Sequence, residues 1–332
     1  MPEATPFILS SLLQGIEVSQ AAAQASAAAI LFGLALGDAL GYPTEFLKLH
    51  QIRQRYGPDG IQEPPDPALY SDDTQMTLAL TEAILEVGTD APLEQLMNAV
   101  GEHFRQWAHS PENNRAPGNT CMTGIRHYEQ GMDWSVAGLI ESKGCGSAMR
   151  VATLGYFYQH DPERLKTVAI ASSQITHRHP TALAATAAAA YGVKLALDGV
   201  SAEEYLPQLL TFLEGVEQSD EMTYALLRIG HVLGWTNEEA ALEHLGQGWT
   251  GEEAVALALY CVLRYPDDYV ACVRRAANTN GDSDSIACIA GGMMGARLGL
   301  TAIPENWQER CENRQHLLEL SWRMAQIDVR GD

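Results

Sequence analysis

The chain has 332 residues, 46% of them hydrophobic, and a formal net charge of −21 from 21 Lys plus Arg against 42 Asp plus Glu. That is enough apolar material for a large core and too much for a disordered chain. Phosphate backbones are repelled by such an acidic surface, which argues against general nucleic-acid binding.

No run approaches the roughly 20 apolar residues of a membrane helix. The first residues, Met1-Pro2-Glu3-Ala4-Thr5-Pro6, lack the basic flank and cleavage pattern of a secretory signal. A monomer in the cytoplasm, without a membrane partner, is the expectation. Residues 1–20 are expected to form a less ordered extension ahead of an Ala-rich helix at about 20–36. That helix runs into Gly33 to Glu45, where small residues favour close packing and Gly41 and Pro43 turn the chain. Asp38 reads as a cap or brace of the turn. Glu45 alone reads as a solvated charge.

The Pro/Gly-rich patch at Tyr56 to Pro67 is a loop. From Thr74 to Val87, Met76, Ala79, Leu80, Ala83, Ile84 and Val87 share one helical face. Helical periodicity returns at about 92–108, 161–174, 180–199, 202–216, 237–247, 251–264, 267–277 and 306–327. Ser285 to Leu298 repeats the pattern with Ile286, Ile289, Ala290 and Met293. Gly291, Gly292 and Gly295 each cost that helix about 1 kcal/mol of propensity, and close approach of another backbone is the expected return. Alternating runs of strand type are nearly absent. The six cysteines, with no C-x-x-C pair, read as reduced and mostly buried. An all-α, single-domain chain over residues 1–332 follows.

Two helix starts carry acids: Ser71-Asp72-Asp73-Thr74 and Asp282-Ser283-Asp284-Ser285. Each has a plain explanation, because Ser, Thr and Asp cap helices and first-turn acids complement the helix dipole. A cap needs one side chain, however, and these sites offer several. Adjacent carboxylates repel unless a cation lies between them, and oxygen-only ligands suit Mg²⁺ or Mn²⁺. Two such clusters facing each other are able to hold two ions. An EF-hand fits poorly, since its fifth position falls on Ile286. So does a haloacid-dehalogenase-type phosphatase, whose Asp-x-Asp follows a strand, whereas Tyr269 to Ala277 reads as a helix.

Gly37-Asp38-Ala39-Leu40-Gly41 with Glu45, Ser71 to Thr74, Lys143 to Arg150, Thr176-His177 and Gly281 to Ser285 together resemble the ADP-ribosylglycohydrolase family, in order over about residues 33–297. The resemblance implies an all-α orthogonal helical bundle with a central metal-containing cleft and two divalent ions, Mg²⁺ or Mn²⁺. It implies hydrolysis of the bond between ADP-ribose and an acceptor, on a protein or a small molecule. Ser71, Asp72, Asp73, Asp282, Asp284 and Ser285 match the metal ligands. Glu45 matches the mobile glutamate and is expected to orient or deprotonate a water, with Asp73 or Asp284 next for proton handling. Gly144, Cys145, Gly146 and Ser147 match the loop around ADP-ribose, His177 a cleft histidine, and Gly118, Asn119 and Thr120 a loop near the ribose.

The residues themselves admit two readings. Gly144 and Gly146 let backbone N–H groups approach a pyrophosphate, and Ser147 is expected to begin a helix; a structural turn is the alternative. Arg150 is expected to pair internally with an acid. His177 serves either packing or the cleft. Ser285 stands where better-known members of the family have Thr. Ala116 lies near the place where arginine-directed relatives carry an acid, which an alanine cannot replace against a guanidinium. Serine-linked, guanine-linked or free ADP-ribose derivatives therefore stay open as substrates. A non-catalytic ADP-ribose binder or structural relative, and a metal-dependent phosphohydrolase, are the competing classes.

Overall fold

In the computed structural model, which describes residues 6–328, the chain forms seventeen α-helices and, among those residues, no strand. They are α1 (Pro6–Gly41), α2 (Leu49–Tyr56), α3 (Asp72–Val87), α4 (Leu93–Ala108), α5 (Asn119–Glu129) and α6 (Trp134–Ala137). Next come α7 (Ala152–Phe157), α8 (Pro162–Gln174), α9 (Pro180–Leu197), α10 (Ala202–Leu213), α11 (Asp220–Val232) and α12 (Glu238–Leu245). The last are α13 (Gly251–Arg264), α14 (Tyr269–Ala277), α15 (Ser283–Leu298), α16 (Glu305–Arg310) and α17 (Arg314–Asp328). The all-α expectation holds.

The packing centres on α1 and α15, helices from opposite ends of the chain, with α17 also against α1. Small residues bring the two backbones together. A Cβ on Gly33 would lie 2.3 Å from the Gly291 carbonyl oxygen, one on Gly37 2.1 Å from that of Ala287, and one on Gly295 2.1 Å from that of Ala29. Gly292 differs, because its Cβ would meet side chains, Ala152 Cβ at 3.1 Å and Leu34 Cβ at 3.5 Å. The core is continuous from Ala27 in α1 to Met324 in α17.

Some expectations need correction. Contrary to the expectation, residues 18–44 are long and apolar enough to cross a membrane; 78% of an 18-residue window within them is buried in the protein, so the apolarity is used in the core. Of the expected N-terminal extension, residues 1–5 lie outside the described residues and 6–20 continue α1. The window 306–327 is two helices. The Ala68 N–H donates to Arg310 O (2.9 Å) and the Glu312 N–H to Ala68 O (3.1 Å), and this pairing takes the backbone out of the helical path. The short or polar helices α2, α5, α6 and α7 escape the periodicity. In α2 only Ile52 is buried. Helix α11 shows a regular stripe of Met222, Ala225, Leu226, Ile229 and Val232 and was readable.

Candidate active site

Helix α3 starts as its sequence suggests. Ser71 is the N-cap, its Oγ accepting from the Asp73 N–H at 3.3 Å, and Asp72 and Asp73 occupy the first turn. Beneath it sits Asp38 of α1, fully buried. Its Oδ1 accepts from the Ser71 N–H (2.9 Å), and its Oδ2 from the Thr74 N–H (3.0 Å) and hydroxyl (2.6 Å). Asp38 therefore braces the start of another helix, not its own turn.

Helix α15 starts differently. Gly281 takes φ +109°, and a Cβ there would sit 2.4 Å from Gln247 O. Asp282 occupies the N-cap position but makes no side-chain capping hydrogen bond, so the plain cap explanation fails for it. Ser283 is tied instead to the α1 turn, its Oγ 3.0 Å from Gly41 O and 2.9 Å from Thr44 Oγ1. The Phe46 N–H donates to Gly281 O at 3.1 Å. These ties carry Glu45 over the start of α15.

Glu45, Asp282 and Asp284 each offer an oxygen within 4.8 Å of the others. With Asp72, Asp73 and Ser285 they line a cavity of about 480 Å³. Burial pushes the Asp72 and Glu45 carboxyls up to about 8, helped by Asp38 and Asp282 at Asp72 and by Asp282 and Asp72 at Glu45. Burial also raises Asp73, Asp282 and Asp284, and neighbouring carboxylates add to it at Asp73 and Asp284. Asp73 Oδ1 and Glu45 Oε2 are buried without a hydrogen-bond partner. Unpartnered acceptors inside a crowd of oxygen donors fit a hard divalent cation.

The other expected residues Gly118, Asn119, Gly144, Cys145, Gly146 and His177 line the same cavity. Gly118 and Asn119 are not a free loop; they start α5, and the Gly118 N–H donates to Asp72 Oδ2 at 3.2 Å. Two expected residues are set back from the wall. Ser71 lies behind Asp73, with its hydroxyl 3.2 Å from Asp73 Oδ2, and Ser147 accepts from the Thr186 hydroxyl at 2.8 Å. Ser147 begins no α-helix: Cys145–Ser147 is one 3-10 turn and α7 starts at Ala152.

Arg150, fully buried, has no acid partner among the described residues. Its guanidinium donates to Gly146 O (3.2 Å), Ser172 O (2.9 Å) and Thr176 Oγ1 (2.8 Å) and lies 4.5 Å from the Phe104 ring centre. Two carbonyls, a hydroxyl and a ring face stand in place of a carboxylate, and its Nε is left buried without a partner. His177 Nδ1 pairs with Thr176 Oγ1 at 2.9 Å, and burial, then the Arg150 charge, pulls its pKa down to about 3. It is a neutral imidazole at physiological pH.

An aromatic pair at the mouth was not among the expected site residues. Phe46, at φ +64°, stacks on Trp249 with ring centres 5.2 Å apart, and both line the cavity. The signal available was the aromatic in Gly246-Gln247-Gly248-Trp249, but its partner lies some 200 positions away.

A family model described as ADP-ribosylglycohydrolase matches residues 19–331. An uncharacterized protein of Archaeoglobus fulgidus is 32% identical over 305 residues, covering 90% of this chain and 96% of that one. The ADP-ribosyl-(dinitrogen reductase) glycohydrolase of Rhodospirillum rubrum is 27% identical over 296 residues, 84% of this chain and 88% of its own. Mouse ADP-ribosylhydrolase ARH3 is 33% identical over 198 residues, about half of each chain at 52% and 53%. A solved structure titled ADP-ribosylglycohydrolase-related protein complex superposes with a TM-score of 0.68 at 25% identity, covering 92% of this chain and 98% of that one.

Proposed function

The chain belongs to the ADP-ribosylglycohydrolase family, and from that premise we propose that it hydrolyses the bond between ADP-ribose and an acceptor at a divalent-cation site in the acidic cleft. The observation that carries this is the convergence of two helix starts, some 200 residues apart, on one cavity with buried, unpartnered carboxylate oxygens. Asp72, Asp73, Asp282, Asp284 and Ser285 would hold the cation, one or two ions of Mg²⁺ or Mn²⁺, with Ser71 orienting Asp73 from behind. Such ions, when bound, act as Lewis acids toward ribose hydroxyls and lower the pKa of a water.

Each residue then has a task. Glu45 sits at the cleft edge of the acidic group, where its oxygen orients a water or takes its proton. The remaining carboxylates stabilise the oxocarbenium-like charge that develops at the anomeric carbon. Gly144 and Gly146 leave the His177 imidazole its place on the cavity wall, since a Cβ on Gly146 would lie 2.7 Å from Cys121 Sγ and 3.0 Å from His177 Cε1. Behind them the Arg150 charge, 3.2 Å from Gly146 O, offsets the acidic cleft. His177 contributes an uncharged imidazole with Nδ1 already engaged.

We favour an acceptor other than arginine. Ala116 and Pro117 line the cavity, and the adjacent Arg115 is turned to Glu312 at 2.6 Å, so that stretch of wall presents no acid to a guanidinium. Incubation with arginine-, serine- and nucleobase-linked ADP-ribose, with and without Mg²⁺ or Mn²⁺, tests both points. Cation-dependent release of ADP-ribose and intact acceptor is expected, with arginine the poorest substrate. Release of AMP and ribose phosphate would point to a phosphohydrolase, and silence across the panel to a binding protein.

A further inference from the structure

Oxygen atoms are not the only donors beside the proposed cation position. The Cys145 thiol donates to Asp282 Oδ2 at 2.7 Å, and its sulfur lies 3.7 Å from Ser285 Oγ. Both residues belong to the proposed ligand set. Neighbouring ligands at right angles, an oxygen at about 2.1 Å and a sulfur at about 2.3 Å from one ion, stand about 3.1 Å apart. The two sulfur–oxygen distances bracket that value. Independently, Asp73, 2% exposed, lines the same cavity with an Oδ1 that has no partner, a donor that calls for a positive ligand.

We propose that Cys145 Sγ is itself a ligand of the cation held by Asp282 and Ser285, so that Co²⁺ and Zn²⁺ bind more tightly than they would to the oxygen donors alone, while Mg²⁺ and Mn²⁺ rest on the oxygens. This rests on the cation site proposed for the acidic cleft. The ion takes the sulfur in place of its proton, which leaves to solvent through the open cavity. A sulfur in the set raises affinity for ions that bind thiolate and does little for Mg²⁺, which keeps to oxygen.

Cobalt reads this directly. The full chain, stripped with chelator, is titrated anaerobically with Co²⁺ while absorbance is recorded and bound metal is measured by equilibrium dialysis. Sulfur ligation gives a sulfur-to-cobalt charge-transfer band in the near ultraviolet. Cys145→Ser should bind Co²⁺ without that band and lose about tenfold of the Zn²⁺-over-Mg²⁺ preference; Cys145→Ala repeats the test if the serine variant folds poorly. Co²⁺ bound to the wild type with no such band, or a band that survives both substitutions, overturns the sulfur ligand and leaves Cys145 as a hydrogen-bond donor to Asp282. A wild-type chain that binds none of Co²⁺, Mn²⁺ or Mg²⁺ sinks the cation site as well.

Discussion

Gly291→Ala, compared with Gly292→Ala next to it, isolates the contact on which the α1–α15 pair depends. A Cβ at 291 would stand 2.2 Å from Gly33 O, whereas carbon and carbonyl oxygen settle no closer than about 3.3 Å. The helices must part by about 1 Å, which belongs at the upper end of the 1–3 kcal/mol that overpacking costs. Alanine returns about 1 kcal/mol of helix propensity, leaving a net loss of about 2 kcal/mol. At 292 the same propensity gain meets only Ala152 Cβ at 3.1 Å and Leu34 Cβ at 3.5 Å, so that variant should stay within about 1 kcal/mol of wild type. Urea denaturation followed by circular dichroism, with EDTA present, measures both. If Gly291→Ala proves as stable as Gly292→Ala, the close-approach reasoning is wrong. Cation affinity should fall in the same variant, because α15 carries Asp284 and a Cβ on Gly41 of α1 would already lie 2.5 Å from the Asp284 Cα.

Three further outcomes are expected. Asp72→Asn and Asp282→Asn should lose at least a hundredfold in hydrolysis while keeping the wild-type circular dichroism, an order typical of groups that stabilise transition-state charge; wild-type turnover in both would remove the acidic cleft from the chemistry. Glu45→Gln should still bind cation, by dialysis, yet turn over poorly, and normal turnover would free Glu45 of its assigned role. Stability of the cation-free protein should fall as pH rises, the reverse of the usual carboxylate behaviour. Asp72 and Glu45, with folded pKa values pushed up to about 8 from 3.8 and 4.5, keep protons that the unfolded chain has lost, so the penalty grows between about pH 4 and 8. Melting in EDTA should drop across that interval and Mn²⁺ should raise it more at pH 8 than at pH 5; a melting point that climbs instead would contradict the assignment.

Both acidic helix starts are legible in the sequence, because a cap needs one side chain and each stretch supplies surplus acids beside a clear apolar period. The glycines of α15 are legible for a similar reason: a helix that keeps Gly291 and Gly295 despite their propensity cost is signalling contact with another backbone. What stays hidden depends on partners distant in the chain. Asp38 points to helix α3 only once the fold brings Ser71 and Thr74 above it. Arg150 suggests an acid partner by charge alone, while the structure gives its two terminal nitrogens three oxygen acceptors and sets the Phe104 ring against it. The start of α7 is misplaced because Gly146 and Ser147 are engaged by Arg150 and Thr186, contacts that no local pattern carries.

The pairing of α1 with α15 also bears on how the protein is made. Helix α1, apolar enough to pass for a membrane segment, is made well before its principal cover, which does not begin until Ser283. For the synthesis of more than 200 residues the nascent chain carries this surface uncovered, the condition under which chaperones are recruited and truncated chains aggregate. A stop codon anywhere before α15 strands the first helix without its mate.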